Sequence, residues 1–505
     1  MVLNIRSLRP WWLAALLVFP WLNPFSVGPV PNAWPWLTSA FCLTTLWLLR
    51  RLLSAELTAT TWVLAASISA AMGLLQYFGL THVFSPWISL GNPGEAFGNL
   101  RQRNQFATLT SIGLVALLAL LARQGSGWRV HVGAYLTMVL LALGNAASSS
   151  RTGLFQWLLI VMLTGWWSMR GQRRLGVFAA QALLVYGIAV FTLPWLLTGL
   201  TGLTSGGLFG RLGEAPGCGS RRVLWANVAS LIAQKPWLGW GWGELDFAHF
   251  QTLYPGERFC DILDNAHNLP LHLAVELGFP FAVLACAFLG WLVCRAKPWL
   301  EIDPMRQLAW GVLAMIGLHS LVEYPLWYGP FQMAAALSIC LLWVLPAATG
   351  RPTGAAQRDE THMNNWAVAP VFSNAGAILL IATLIFATWD YWRVSQLYLP
   401  QANRATAYRD DTLKKVRDTW LFQDQVQFAE LTTTPLTAAN AAQLNALAKH
   451  LLHFSPEPRV VEKLIESAVL LGRNDEAIYY LQRFRAAFPR EHASWAKKSA
   501  RHEAP

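Results

Sequence analysis

Charged side chains are scarce in this sequence. Only 13% of its 505 residues are Asp, Glu, Lys or Arg, whereas 54% are hydrophobic. Soluble globular proteins carry about 25% charged residues, so this composition excludes an ordinary soluble fold and predicts a polytopic membrane protein. The charged residues become denser after about residue 390, which separates a membrane body over 1–390 from a soluble tail over 391–505.

Cysteine is equally sparse, and no metal-binding motif is present. The six cysteines contain no CxxC pair, and His267, His272 and Glu276 lack the HExxH spacing that places two zinc ligands on one helix face. We therefore expect neither a metal nor another cofactor. Of these three residues only His272 and Glu276 share a helix face, and a structural pair is favoured for them. The internal repeat that is typical of many transporters is also missing.

Long apolar runs, by contrast, are abundant. A helix needs about 20 apolar residues to cross the hydrocarbon core of a bilayer. The segments that fit are 10–27, 33–50, 58–79, 104–122, 129–147, 152–169, 175–198, 267–293, 305–323, 328–347 and 368–389. The sequence thus predicts an all-α membrane protein with about 11 transmembrane helices. The first is expected to be retained, because no signal-peptide cleavage site follows it.

Positive charge dominates, with a net charge of +11 at pH 7. In a soluble protein this would suggest nucleic-acid binding, but here most Lys and Arg residues of the membrane body lie in short loops on one side of the predicted helices. Such a bias marks the cytoplasmic side. We therefore expect a cytoplasmic amino terminus, with the segment 199–266 and the tail on the outer side. Nucleic acid is not an expected partner, whereas membrane lipids are.

A second group of arginines lies on the outer side, against this bias. Its members are Arg101, Arg103, Arg151, Arg211, Arg221, Arg222 and Arg258. An arginine near the end of a span often reaches to lipid headgroups, but guanidinium groups also bind phosphate in a bidentate manner. Both interpretations fit a single arginine. So many on one face favour an anionic ligand.

One histidine lies at the outer start of an apolar run, in the segment NAHNLPLHLAVELG (265–278). Ionisable side chains at membrane depth are costly and are therefore functional candidates. His267 is that candidate. The outer segment 199–266 precedes it and contains Cys218 and Cys260, which can pair in an oxidising compartment. We expect a disulfide between them, with two free thiols as the alternative.

The same outer segment contains a short amphipathic pattern followed by a Trp-rich stretch. Apolar residues recur at helical spacing at Val223, Leu224, Val228, Leu231 and Ile232. This combination is typical of an element that lies in the headgroup layer of a membrane. A helix that packs on the ends of the spans would have the same periodicity, so both interpretations stay open.

Polar and aromatic residues also gather at the outer ends of two predicted spans. They are Arg103 and Asn104 at the fourth span, and His319, Glu323, Tyr324, Trp327 and Tyr328 at the ninth. The aromatic group fits an interfacial belt, and it also fits a platform that stacks on a glycan or positions an acceptor. The tail contains a helix pair over 446–489 that resembles one tetratricopeptide-like unit, although a full array needs several copies. Acceptor binding and a purely stabilising role both fit this small domain.

These motifs resemble the bacterial O-antigen ligase and O-antigen polymerase superfamily. The segment 265–278 is similar to its His-Asn…Glu-Leu-Gly segment. GNLRQRNQFAT (98–108) and LHSLVEYPLWYGPF (318–331) resemble a narrower branch, the general protein O-oligosaccharyltransferases of the PglL type. SSSRTGLF (148–155) and RRVLW (221–225), followed by KPWLGWGWG (235–243), fit the wider superfamily.

This resemblance implies a GT-C type glycosyltransferase in the bacterial inner membrane, with its active site and tail in the periplasm. Such an enzyme moves a whole glycan from an undecaprenyl-pyrophosphate carrier to a serine or threonine hydroxyl of a pilin-like acceptor protein. The resemblance also implies that His267 is required for activity and that Arg151 and Arg222 lie near the pyrophosphate. We add Arg103 to the pyrophosphate-binding set. The supporting residues are Asn104, Asn268, Glu276, His319, Glu323 and Tyr324.

The chemistry suits these residue types without the resemblance. Departure of a pyrophosphate requires stabilisation of its developing charge, for which arginines are effective. A weakly acidic hydroxyl requires a base, for which a neutral histidine is suited. An O-antigen ligase or polymerase, whose acceptor is a glycan hydroxyl, is the nearest alternative. A lipid-linked glycan flippase fits less well, because the polar residues gather on one face.

Overall fold

The structure, a computed structural model, describes residues 11–26, 28–123, 128–169, 173–204, 207–208, 217–345 and 374–502. All regular structure within these ranges is helical, as the sequence predicts. The predicted outer arginine Arg211 lies outside the described residues.

Twenty α-helices are used below. They are α1 (Trp11–Leu22), α2 (Ala33–Leu48), α3 (Ala55–Tyr77), α4 (Arg103–Arg123), α5 (Trp128–Ala147), α6 (Arg151–Ser168), α7 (Arg173–Thr201), α8 (Arg221–Gln234), α9 (Leu245–Gln251), α10 (Leu269–Leu277), α11 (Phe279–Ala296), α12 (Pro304–Ser320), α13 (Gly329–Val344), α14 (Asn374–Ser395), α15 (Thr412–Val416), α16 (Gln423–Thr433), α17 (Ala441–Leu451), α18 (Pro458–Leu470), α19 (Asn474–Ala487) and α20 (Pro489–His502). They fall into two compact units, and each unit is described by itself.

The first unit comprises Met1–Ser26, Asn32–Glu214 and Trp291–Ile385. Helix α4 is at its centre, because it packs against α3, α5, α6 and α12 and is buried almost all round. Small residues allow this close approach: a side-chain carbon at Gly113 would lie only 2.3 Å from the Cβ of Ala66 on α3. Helices α3 and α4 are thereby packed closely at their middles.

The membrane character of the chain is clear from helix length and composition. Six helices of the described ranges are long and apolar enough to cross a bilayer, and two shorter apolar helices accompany them. The total of about 11 spans stays a prediction. One predicted span, 267–293, is wrong as a single helix. It is divided into α10 and α11 by Gly278, which has a positive φ of 91° that ends α10.

The second unit comprises Val27–Pro31, Ala215–Gly290 and Phe386–Pro505. Helices α8, α9 and α10 enclose a small core that contains Leu224, Val228 and Leu231. The apolar stripe of α8 therefore faces α9 and α10 inside this unit.

The carboxyl-terminal helices of this unit have a core of their own. Phe250 of α9 belongs to it, together with Leu451 and Phe484. The structure thus groups the part of the outer segment from Ala215 on with the carboxyl-terminal helices, and the division of the chain at residue 390 stays a prediction.

Candidate functional site

His267 lies on a short, tightly held segment that leads into α10. Its backbone N–H donates to Oδ1 of Asn265 at 2.8 Å, and Trp225 Nε1 donates to the carbonyl of Ala266 at 3.1 Å. Asn265 and Ala266 are both buried. Asn268 caps α10 by accepting from the N–H of Leu271 at 3.0 Å. The half-buried His267 is therefore fixed on both sides by its neighbours.

The backbone of His267 is also strained, with a φ of 50°. The left-handed region is unfavourable for residues other than glycine. Such residues persist where the surrounding structure imposes them, often at functional sites. Two other strained residues of the described ranges, Arg101 at φ 61° and Ser149 at φ 51°, lie within two positions of Arg103 and Arg151. Three of the five non-glycine residues with positive φ in the described ranges thus lie at or within two positions of a predicted site residue.

His272 and Glu276 form a buried pair on α10. Nε2 of His272 lies 3.5 Å from Oε2 of Glu276. Burial lowers the pKa of His272 to about 4, with a smaller contribution from the charge of His267. Burial also raises the pKa of Glu276 to about 7. Both groups thus favour their neutral forms, which fits a structural pair. No group of three metal-binding side chains occurs in the part of the chain that the structure describes.

The amino-terminal end of α8 carries Arg222 and is linked to the segment before His267. Cys218 and Cys260 form a disulfide, with their Cα atoms 5.4 Å apart, a usual separation for such a bond. Asn227 of α8 reinforces this link by donating to the carbonyl of Glu257 at 2.9 Å and accepting from the N–H of Phe259 at 2.8 Å. The position of Arg222 is therefore coupled to the 257–260 segment.

In the first unit, Glu323 and Asn104 connect three helix ends. The buried carboxylate of Glu323 accepts hydrogen bonds from Gln102 Nε2 at 3.3 Å and Asn104 Nδ2 at 3.2 Å. The side-chain oxygen of Asn104 in turn accepts from the hydroxyl of Ser150 at 2.7 Å. Ser150 caps α6 by accepting from the N–H of Gly153. The network therefore fixes the starts of α4 and α6 relative to the segment that follows α12.

A second layer of this network lies deeper in the first unit. Thr108 Oγ1 is 2.9 Å from His319 Nδ1 and accepts from Gln156 Nε2 at 2.9 Å. Gln156 also donates to the carbonyl of Met315 at 3.0 Å. His319 is fully buried, and its Nε2 has no partner among the described residues. Sequence reasoning found His319 but not Thr108 or Gln156, although polar residues inside apolar runs were a usable signal.

The three arginines assigned to the pyrophosphate share one structural feature. Arg103, Arg151 and Arg222 all lie in the first turn of a helix, namely α4, α6 and α8. A positive charge there is unfavourable for the helix itself, whereas an anion is stabilised by the same dipole and by free N–H groups. These arginines therefore do not stabilise their own helices, but their location is favourable for binding an anion.

The pairing of these arginines differs. Arg103 forms an ion pair with Glu95. Arg151 and Arg222 are exposed, and neither has a hydrogen-bond or ion-pair partner within the described ranges. Arg151 and Arg222 are thus available for an anion, while Arg103 must first exchange its partner.

The aromatic residues after α12 form one group. The rings of Tyr324 and Tyr328 stack at 5.9 Å, and Tyr324 also contacts Trp327 at 5.3 Å. An interfacial belt and a stacking platform both remain compatible with this arrangement.

The structure thus collects the predicted site residues into two sets. The set in the first unit is Arg103, Asn104, Arg151, His319, Glu323 and Tyr324. The set in the second unit is Arg222, His267, Asn268 and Glu276, with the cysteines Cys218 and Cys260.

Three family profiles match the chain. The profile described as "Protein glycosylation ligase" matches residues 96–121, that of "O-Antigen ligase" matches 136–286, and that of "Virulence factor membrane-bound polymerase, C-terminal" matches 307–502. Together these ranges contain every motif segment on which the resemblance was based.

Two curated proteins of Acinetobacter baylyi are also similar to the chain. It is 23% identical to a general O-oligosaccharyltransferase over 344 residues, which are 66% of this chain and 56% of that protein. It is 25% identical to a ComP-specific O-oligosaccharyltransferase over 275 residues, which are 54% of this chain and 48% of that protein. The chain spans about half the length of these relatives.

Proposed function

We propose, from the chain's membership of the O-antigen ligase and polymerase superfamily in its protein O-oligosaccharyltransferase branch, that it transfers an oligosaccharide en bloc from undecaprenyl pyrophosphate to a serine or threonine hydroxyl of an acceptor protein. We place the reaction on the periplasmic side of the bacterial inner membrane, with a pilin-like protein as acceptor. The observation that carries the proposal is His267, which is held in a strained conformation by buried neighbours.

His267 acts as the general base in this reaction. It removes the proton of the acceptor hydroxyl as the hydroxyl oxygen attacks the anomeric carbon of the glycan. The bond from that carbon to the pyrophosphate oxygen breaks, and undecaprenyl pyrophosphate leaves with the bonding electrons. The proton on His267 is then released to water. A rigid backbone assists because it holds the base in reach of the hydroxyl.

Arg151 and Arg222 stabilise the departing pyrophosphate. Their guanidinium groups are exposed at helix amino termini, where the helix dipole also favours an anion. Arg103 joins them by exchanging Glu95 for the ligand. Asn104, His319 and Glu323 act as positioning residues, since their hydrogen bonds set the ends of α4, α6 and α12.

The proposed architecture completes this scheme. A GT-C type membrane body over 1–390 with about 11 spans carries the periplasmic segment 199–266, and the residues 391–505 form a periplasmic helical domain. The chain supplies the catalytic groups from its own side chains, so no cofactor takes part. Tyr324 and its neighbours serve as an aromatic platform for the glycan or the acceptor in this scheme, which their mutual ring contacts support.

A second candidate function is the transfer of the glycan to another glycan, as in an O-antigen ligase or polymerase. The match of residues 136–286 to the O-antigen ligase profile favours it. The base and the anion-binding arginines would serve either acceptor. The two functions therefore differ only in what supplies the hydroxyl.

The decisive experiment expresses the chain in a ligase-deficient cell that makes a lipid-linked glycan and a pilin. We expect the glycan on the pilin, detected as a mass increase of the purified protein, and no glycan with His267→Ala. Glycan on lipid A instead would select the second candidate. Glycan on neither acceptor, with a correctly inserted protein, would contradict both.

A further inference from the structure

The Trp loop, residues 235–243 with the sequence KPWLGWGWG, connects α8 to α9 and has two different faces. Its outer face exposes Trp237 to 77%, Leu238 to 85% and Trp242 to 67%. Its inner face holds Trp240, whose Nε1 donates to the carbonyl of Leu231 at 3.0 Å and whose ring lies 4.0 Å from Nζ of Lys235. The exposed side chains therefore belong to a folded loop with a fixed direction.

The Trp loop is bound through its backbone to the junction of α10 and α11. Trp240 N–H donates to the carbonyl of Val275 at 2.9 Å, and Phe279 N–H donates to the carbonyl of Pro236 at 2.8 Å. The approach is so close that a side-chain carbon at Gly278 would lie 2.1 Å from the carbonyl oxygen of Trp237. The Trp loop is thus fixed directly beside Phe279, the first residue of α11.

Helix α11 indicates the depth at which this junction lies. Its 18 residues extend for about 27 Å, which matches a hydrocarbon core of about 30 Å. Its side chains are almost entirely apolar. Among its described residues, Ala282 alone is buried. An apolar helix exposed on all sides requires lipid around it. Phe279, at its first position, therefore lies at the edge of the hydrocarbon core.

We propose that Trp237, Leu238 and Trp242 insert into the interfacial layer of the phospholipid bilayer. The loop that carries them is bonded to the end of a lipid-facing helix, and tryptophan prefers this layer because its ring is apolar and its N–H is polar. The helix α8 cannot be the element that inserts into the bilayer, because its apolar residues Val228 and Leu231 are buried in the core of the unit.

This anchor also sets the position of α10. The carbonyls of Val275 and Glu276, near the end of α10, accept from the loop, and α10 begins directly after Asn268 and His267. Nine residues of helix extend for about 13 Å. Under the proposed function, the anchored loop therefore fixes the height of His267 above the hydrocarbon, where a lipid-linked pyrophosphate must be met.

The test is a measurement of depth that requires no enzymatic activity. The four free cysteines, Cys42, Cys286, Cys294 and Cys340, are replaced by alanine, and the Cys218–Cys260 disulfide is kept. A nitroxide is attached to Leu238→Cys in liposomes of phosphatidylethanolamine and phosphatidylglycerol that contain no glycan donor. Power-saturation EPR then compares collisions with oxygen and with a water-soluble nickel chelate. The matched control is Asp475→Cys at the exposed start of α19.

We expect the label at Leu238 to favour oxygen over the nickel chelate at least several-fold more than the control label does. Equal accessibility at the two positions would overturn the proposal. Protection of Leu238→Cys that develops only when an acceptor protein is added would also overturn it, because the loop would then be a protein-docking surface. A failed transferase assay leaves this measurement unaffected, so the two proposals can fail separately.

Discussion

Replacement of His267 separates its chemical role from its structural strain. Two variants are informative together, His267→Ala and His267→Gly. Both remove the imidazole, but only glycine relieves the positive φ of 50°. If the strain is maintained for function, the inactive glycine variant will be the more stable of the two.

The expected magnitudes follow from this geometry. Loss of a general base lowers the rate by about 10²- to 10⁴-fold, or about 3–5 kcal/mol of transition-state stabilisation. Left-handed backbone costs a non-glycine residue about 1–2 kcal/mol, and the extra freedom of glycine in the unfolded chain offsets about 0.5–1 kcal/mol of that. The glycine variant should therefore exceed the alanine variant in stability by roughly 0.5–1 kcal/mol.

The assay measures glycan transfer and thermal unfolding on the same purified samples. Both variants should retain less than about 1% of the wild-type rate, and the melting temperature of His267→Gly should be higher than that of His267→Ala. Near-normal transfer by either variant would remove His267 from the mechanism. A glycine variant less stable than the alanine variant would refute the argument from strain.

Three further predictions concern the arginines, the disulfide and the buried acid. Arg151→Lys and Arg222→Lys should each weaken donor binding or turnover about tenfold or more, because an ammonium group cannot reproduce the bidentate contact; donor titration in a transfer assay measures this. Replacing Cys218 and Cys260 by serine should reduce stability by up to about 4 kcal/mol for a loop of this length, measured by thermal unfolding. Glu276→Gln should remove a pH dependence of folding stability. Because the pKa of Glu276 is raised to about 7, this side chain stabilises the fold fully below about pH 4.5, and that stabilisation is lost as the pH rises through 7.

Each of these has a clear contrary result. Wild-type affinity and turnover in both lysine variants would reassign the arginines to lipid headgroups. Free thiols at Cys218 and Cys260, found by alkylation and mass spectrometry of non-reduced peptides, would exclude the disulfide. For the acid, a constant difference in stability between wild type and Glu276→Gln from pH 4 to 8 would contradict the raised pKa.

Much of the candidate site could be predicted from residue type and local order. Ser150 and Asn268 precede helices as residues that cap them, and capping depends on hydrogen bonds over only a few positions. The break at Gly278 was not predicted, because 267–293 was interpreted as one span from its length and its mostly apolar composition, although Gly278 and Pro280 are residues that often end a helix. Thr108 and Gln156 were also missed: as polar residues inside apolar runs they could have been noticed, but their partners lie on other helices, so the sequence does not show what they bond to.

The sequence by itself determined the class of the protein, its apolar helices and the motifs that contain His267, Arg151 and Arg222, because composition and periodicity act over short stretches of chain. Only the tertiary structure decided the strained backbone of His267, the separation of α10 from α11 and the fixed direction of the Trp loop. These depend on contacts such as those of Trp225 with Ala266 and of Pro236 with Phe279. The two residues of each contact are far apart in the chain. They meet only when the elements that carry them are packed within a few ångströms of each other.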